Sequence, residues 1–204
     1  MVDNPLLTII VPVYNQELLL KRALDSIPIR DDIEVLIIND GSTDRTIVIA
    51  EEYQKKHDNV RIITNPTNIG LGATKNVGYE NARGRYINQL DSDDYFLTDK
   101  YNKVIDLLDG NDMVYINIQI NNGDIWSCNK NTVHLWCGGP LRFIRREFLG
   151  NHRCPEVRAG EDWFLNEELQ KIPHTDKFTN ICAYHYNFPR EGSLCDQRSK
   201  GELK

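Results

Sequence analysis

The chain has 204 residues, 40% hydrophobic and 26% charged, enough for one substantial core or two small ones and incompatible with a disordered tail. A formal net charge of −6 argues against nucleic acid as the main partner, because phosphate backbones are gripped by basic surfaces.

The first segment, Met1 to Pro5, carries no basic n-region and leads to only six residues, Leu6 to Val11, before Pro12. Neither a secretory signal nor a transmembrane segment is expected from it, and the expected setting is cytoplasmic, with peripheral association at the inner face of the membrane left open. Leu7 to Val13 is a continuous apolar run rich in Ile and Val, the pattern of a strand buried on both faces. Leu20, Ala23, Leu24 and Ile27 recur at helical spacing until Pro28 stops them. The unit then repeats, with Glu34 to Ile38 as strand and Ile47, Ala50 and Tyr53 on a helical face. Val60 to Thr64 predicts a third strand, Ile69 to Ala82 a glycine-containing helix, and Arg85 to Leu90 a fourth strand. Tyr101, Val104, Ile105 and Leu108 mark a further helix capped at Thr98, with Asp99 in its first turn. Beyond Asn111 the strand-like runs are Met113 to Ile120 and Val133 to Trp136. Alternating strands and helices predict an α/β fold with a mostly parallel sheet.

Five cysteines, Cys128, Cys137, Cys154, Cys182 and Cys195, are odd in number and form no C-x-x-C pair, so free thiols are expected.

The fourth strand empties into Asp91-Ser92-Asp93-Asp94. Hard cations such as Mg²⁺ take oxygen ligands and usually rest on one or two protein carboxylates plus substrate phosphates. A metal site and an ordinary acidic turn both fit the local sequence; an EF-hand loop does not, since Phe96 stands where its glycine belongs and Asn102 where its closing Glu belongs. In open α/β sheets ligands bind beyond the carboxyl ends of the strands. Tyr14-Asn15, Asn39-Asp40-Gly41 and Asp91 to Asp94 all fall there, and this shared rim favours a site over a turn.

These residues resemble the family 2 glycosyltransferases, inverting enzymes of the GT-A fold. The likeness is carried by Thr8 to Asn15, Glu34 to Asp44, Asn68 to Ala73 with Lys75 to Gly78, and Leu90 to Asp94. It resumes at Gly160-Glu161-Asp162-Trp163 and more faintly at Tyr184 to Tyr186 and Arg190 to Ser193. The resemblance implies a single GT-A domain, residues 1–204. About residues 1–110 would form a Rossmann-like nucleotide-sugar half with a mostly parallel sheet flanked by helices, and about 111–204 a smaller mixed acceptor-side lobe. It implies transfer of one sugar from a nucleotide-diphosphate sugar, UDP-linked by preference, to a glycan or lipid-linked saccharide acceptor, with Mn²⁺ or Mg²⁺ as cofactor.

By the same resemblance Pro12, Val13, Tyr14 and Asn15 would line the base pocket. Asp40 would accept the base's ring N–H, which suits uracil because a carboxylate only accepts. Lys75 would face the donor at a glycine-rich helix start. Asp91 and Ser92 would sit on the ribose side, Asp93 and Asp91 would hold the metal with His185 as an added ligand or a diphosphate contact, the other reading of that histidine being a structural one in an aromatic strand, and Arg190 with Ser193 would close over the diphosphate. Asp162 would be the general base and Glu161 would flank it; the other reading of that pair is acid at a helix N-terminus. Trp163 is assigned to the core.

The sequence departs from the family pattern at Trp136-Cys137-Gly138-Gly139-Pro140, where many relatives carry Trp-Asn-Lys, and the acceptor side is where this matters. A nucleotidyltransferase would need a basic glycine-rich loop after the first strand, where Val13-Tyr14-Asn15 stands. A dinucleotide oxidoreductase would need glycine at Lys75. A sugar-nucleotide-binding protein without turnover would have no use for Asp162.

Overall fold

The computed structural model describes residues 4–108, 110–134, 138–157, 159–191 and 200. In chain order the elements are β1 (Leu7–Val13), α1 (Leu20–Asp25), β2 (Ile33–Asn39), α2 (Thr46–Gln54), β3 (Val60–Thr64), α3 (Leu71–Asn81), β4 (Tyr86–Gln89), β5 (Tyr95–Phe96) and α4 (Thr98–Ile105). They continue with β6 (Met113–Ile120), β7 (Ile125–Trp126), a 3-10 turn at Gly139–Leu141, β8 (Arg142–Arg145), α5 (Arg146–Leu149), α6 (Glu161–Leu169) and β9 (Asp176–Tyr186).

All seven residues of β1 and of β2 are buried, as their unbroken apolar runs require. Side chains alternate across the strand. Leu7, Ile9 and Val11 therefore join Leu20, Leu24 and Tyr101 in one core layer, while Ile10 meets Leu36, Ile38 and Tyr79 on the opposite face. Each such fully buried aliphatic side chain contributes about 1.5–3 kcal/mol.

One sheet runs in the order β3-β2-β1-β4-β8-β6-β9-β5, with β7 on the side of β6. From β3 to β4 the pairings are parallel, which bears out the α/β reading of the first half. Beyond β4 the sheet turns mixed: β8 is antiparallel to β4 and β6, and β9 is parallel to β6 yet antiparallel to β5. Tyr95 pairs with His185 in that last ladder, so β9 is carried to the acidic turn. Among the described residues no helix is long and apolar enough to cross a membrane.

Several local expectations need correction. Thr98 does not cap α4: Leu97 occupies the N-cap without a side-chain bond, and the Thr98 hydroxyl donates instead to the Ser26 carbonyl at 2.9 Å. Tertiary packing against α1 offers this hydroxyl a partner that local sequence could not reveal. Val133 and His134 lie in a turn rather than a strand, and Leu135 to Cys137 fall outside the described residues. Trp163 is 39% exposed rather than core, its ring edge against exposed Phe164. Cys128 is disulfide-bonded, while Cys154 and Cys182 are free thiols. Sequence spacing does not tell which thiols a fold brings within bridging distance. Cys137 and Cys195 lie outside the described residues.

Glycine sets how closely layers approach. A Cβ on Gly84 would stand 2.7 Å from both the Leu7 carbonyl carbon and the Tyr86 oxygen, which are backbone atoms that cannot yield. Gly84→Ala is therefore expected to lower the unfolding free energy by about 2–3 kcal/mol, read as a lower urea midpoint at unchanged slope. An unchanged midpoint would mean the β1 and β4 backbones adjust freely.

Candidate active site

The rim of the parallel half is assembled by loops that bond to one another. After β1 the chain turns at Asn15, whose positive φ of 49° is tolerated by Asn. The Asn15 carboxamide accepts from Thr43 N at 2.8 Å, its own N–H donates to Ser42 Oγ at 3.0 Å, and the next N–H, of Gln16, donates to Thr46 Oγ1 at 2.8 Å. The loops after β1 and β2 are thereby stitched into one wall. Tyr14 and Asn15 are exposed on it, whereas Pro12 and Val13 are buried strand residues that can offer a ligand only backbone.

Asp40 forms the floor between them, 3% exposed. Its Oδ1 accepts from Asn65 Nδ2 at 2.9 Å and Ile69 N at 3.0 Å, and its Oδ2 from Gly70 N at 3.1 Å. The carboxylate expected to read a base is thus fixed by three donors and keeps acceptor capacity on Oδ2.

The acidic turn after β4 separates into distinct roles. Asp94 is fully buried and accepts from Tyr184 Oη at 2.6 Å and Asn187 N at 2.8 Å, which ties the turn to β9. Burial, with the charges of Asp91 and Asp93, raises its carboxyl well above the ordinary range. Ser92 is buried as well. Asp93 keeps some exposure, and Arg190 binds its Oδ2 through Nε at 2.9 Å and Nη2 at 2.7 Å. Arg22, which the sequence did not single out, donates to the Asp93 carbonyl at 2.5 Å and lies 5.0 Å over the Tyr95 ring.

The His185 ring stacks flat on that of Tyr95, with centroids 4.4 Å apart. Burial and the nearby Arg22 charge lower its basicity. The trio Asp91, Asp93 and His185 is not gathered into one metal-holding group; among the described residues no set of three or more His, Cys, Asp or Glu side chains is. Asp93 is turned to Arg190 and the imidazole to Tyr95, contacts that cross from the turn to β9 and the segment after it.

Asp91 points the other way. Its Oδ1 is buried, takes no hydrogen bond from the described residues, and lies 4.0 Å from Lys75 Nζ. Burial pushes its carboxyl up to about 7 against the pull of Lys75, with Asp162, Asp93 and Glu161 adding to the rise.

Lys75 is the largest departure from expectation. Rather than standing open to a donor at the start of α3 it is 1% exposed, with Nζ 2.8 Å from Glu161 Oε1 and 2.5 Å from Asp162 Oδ2. α6 docks its first turn over α3 at this point, a contact invisible in a helical wheel. Burial works against the ammonium, and the charges of Asp162, Asp91 and Glu161 outweigh it, so the lysine holds its proton well above its ordinary value. Gly160, at φ 84°, swings the chain into α6 so that Glu161 is buried and Asp162 stays partly open. Asp162 Oδ1 has no hydrogen-bond partner among the described residues. The donor-side rim and the Glu161–Asp162 pair thus form one electrostatic cluster. Ser193 lies outside the described residues.

The family model of glycosyl transferase family 2 matches residues 8–163, across every element of the cluster from β1 to the start of α6. The chain belongs to glycosyl transferase family 2. An uncharacterised glycosyltransferase of Haemophilus influenzae is 40% identical to it over 114 residues, which are 55% of this chain and 46% of that protein. This family 2 chain therefore spans less than half the length of that relative. Among solved structures, residues 1–349 of S. aureus TarS in complex with UDP-GlcNAc superpose with a TM-score of 0.78 at 24% identity, over 92% of this chain and 59% of that one. The mannosyltransferase PcManGT of Pyrobaculum calidifontis, in complex with GDP-Man and Mn²⁺, superposes with a TM-score of 0.74 at 20% identity, over 98% of this chain and 62% of that one. Both share the mixed α/β GT-A fold seen here.

Proposed function

We propose that this chain is an inverting glycosyltransferase that moves one sugar from a nucleotide-diphosphate sugar, by preference UDP-linked, to a hydroxyl of a glycan or lipid-linked acceptor. The observation that carries the reading is the meeting of Asp91, at the end of β4, with Glu161 and Asp162, at the start of α6, around one buried Lys75. It puts a partly open carboxylate beside the strand ends where a nucleotide would lie. Residues 1–110 then act as the donor half and 111–204 as the acceptor half of one domain.

Tyr14 and Asn15 would border the base, and the remaining Oδ2 acceptor of Asp40 suits the N3–H of uracil. The acceptor hydroxyl oxygen attacks the anomeric carbon, the bond from that carbon to the diphosphate oxygen breaks with its electron pair leaving on the nucleotide, and the hydroxyl proton passes to Asp162. Attack opposite the leaving group inverts the centre.

A divalent cation fits the residues present. Asp91 offers a buried oxygen with no hydrogen-bond partner among the described residues, Asp93 would be a second hard oxygen ligand once its Oδ2 is released by Arg190, and two carboxylates plus diphosphate oxygens is a common Mg²⁺ set. Mn²⁺ accompanies the donor in PcManGT. Bound there, the cation would offset the charge of the departing diphosphate, an effect worth several kcal/mol.

A screen of UDP-, GDP- and dTDP-sugars for slow, Mn²⁺-stimulated release of nucleotide tests the reading. Release from at least one UDP-sugar is expected. Binding of such donors with no turnover in the presence of any glycan acceptor tried would favour a binding protein instead.

A further inference from the structure

Lys75 does more in this structure than neutralise charge. It joins three carboxylates that come from both sides of the site: Asp91 at 4.0 Å from the donor rim, and Glu161 and Asp162 at 2.8 and 2.5 Å from the acceptor side. Asp162 is gripped from two directions. Its Oδ2 takes the Lys75 ammonium, and behind it runs the Gly138-Gly139 turn, where a Cβ on Gly139 would stand 2.5 Å from that same oxygen and a Cβ on Gly138 2.9 Å from the Asp162 carbonyl. Gly72, one turn before Lys75, gives Glu161 the matching clearance, its own would-be Cβ lying 3.3 Å from Glu161 Cβ. The Gly138-Gly139 turn, in the stretch that departs from the family pattern, thus leaves room for Asp162, and Gly72 on α3 leaves room for Glu161.

With Oδ2 fixed, Asp162 is left with a single uncommitted oxygen, Oδ1, which is buried and has no hydrogen-bond partner among the described residues. A carboxylate anchored through one oxygen presents the other along one direction, and holding a reacting group in a productive geometry is a large part of catalysis. We propose that Lys75 is a positioning residue for transfer, anchoring Asp162 through Oδ2 so that its carboxylate is held in one orientation for the acceptor hydroxyl, and coupling this anchor to the donor-side Asp91. The inference rests on the reading of Asp162 as the base and adds to it how the base is held. It also replaces the expectation that Lys75 binds the diphosphate, since the ammonium is enclosed by carboxylates.

The test is a double-mutant cycle on the full chain with a UDP-sugar that it turns over. A residue that acts through Asp162 matters only while the carboxylate is there, whereas an architectural residue costs the same in either background. Lys75→Met is expected to lower kcat by about 10- to 100-fold while the donor KM, and UDP affinity by calorimetry, stay within about threefold. In the Asp162→Asn background the same replacement is expected to change kcat by less than about threefold. An equal loss in both backgrounds overturns the proposal, as does a raised donor KM with kcat unchanged, which would return Lys75 to the diphosphate. Should Lys75→Met fail to fold, Lys75→Arg is carried through the same cycle. It keeps the cation but displaces it, so kcat is expected to fall with Asp162 present and not without it; an equal fall in both overturns the proposal. Near-normal turnover of Asp162→Asn alone would mark a failure of the base reading, distinct from a failure of the anchor.

Discussion

Asp162→Asn is expected to abolish transfer by roughly 10²-fold or more while leaving donor binding intact. The substitution keeps the shape of the side chain and an oxygen that can accept from Lys75, so the cluster stays closed. Glu161 remains 2.8 Å from the ammonium, and no buried cation is orphaned. What disappears is the ability to take a proton from the attacking hydroxyl as its oxygen bonds to the anomeric carbon. The effect should therefore fall on kcat, with UDP affinity by calorimetry unchanged and the urea midpoint close to that of the parent. Turnover within a few fold of the parent would assign the base to another group. Burial pushes the Cys154 thiol up to about 12 and the Tyr79 hydroxyl well above its ordinary value, so neither exchanges protons readily near neutrality, and the alternatives are the two other carboxyls on Lys75, Glu161 and Asp91.

The donor half of this site was legible in the sequence because its signals are local. Leu7 to Val13 reads as a two-sided buried strand from its own residues, and Glu34 to Ile38 reads as a strand likewise; the polar clusters that follow β1, β2 and β4 mark the rim without any knowledge of what they touch. The acceptor half is built by contacts that sequence patterns do not carry. Lys75 sits on α3 at a position any helical wheel would find, yet its partners are 86 and 87 residues away, and only the docking of α6 makes it a buried counter-ion rather than an anion hook. Asp94 reads like Asp91 and Asp93 in the sequence, but it is consumed by Tyr184 and Asn187, ninety and more residues on, as a structural tie. Arg22 gave no signal at all, since a basic residue on an amphipathic helix looks like a solvated face until β5 and the acidic turn fold against it. Gly138-Gly139 was visible as a deviation, but its role in clearing space for Asp162 depends on distances.

Removing the Asp93 carboxylate is expected to strike at the donor side with a different signature. In the parent, Mn²⁺ should strengthen UDP binding, because the diphosphate supplies the oxygens that complete a coordination shell resting on only one or two protein carboxylates. With Asp93→Ala the shell keeps Asp91 alone, and the Mn²⁺-dependent gain in UDP affinity should shrink by roughly 10²-fold. Metal-free UDP binding should change far less, since Tyr14, Asn15 and Asp40 are untouched. Arg190 sets the sign of any residual effect. It holds Asp93 Oδ2 through two nitrogens in this structure, so the variant also releases a guanidinium whose charge suits a diphosphate. Metal-free UDP binding is therefore expected to rise slightly in Asp93→Ala, and adding Arg190→Ala to remove that rise. Calorimetry of the parent, Asp93→Ala and the double variant, each with and without Mn²⁺, separates the two contributions. An equal Mn²⁺ gain in parent and Asp93→Ala would remove Asp93 from the metal site, and Asp91, with its buried unpartnered oxygen, would be left as the residue on which a cation must rest.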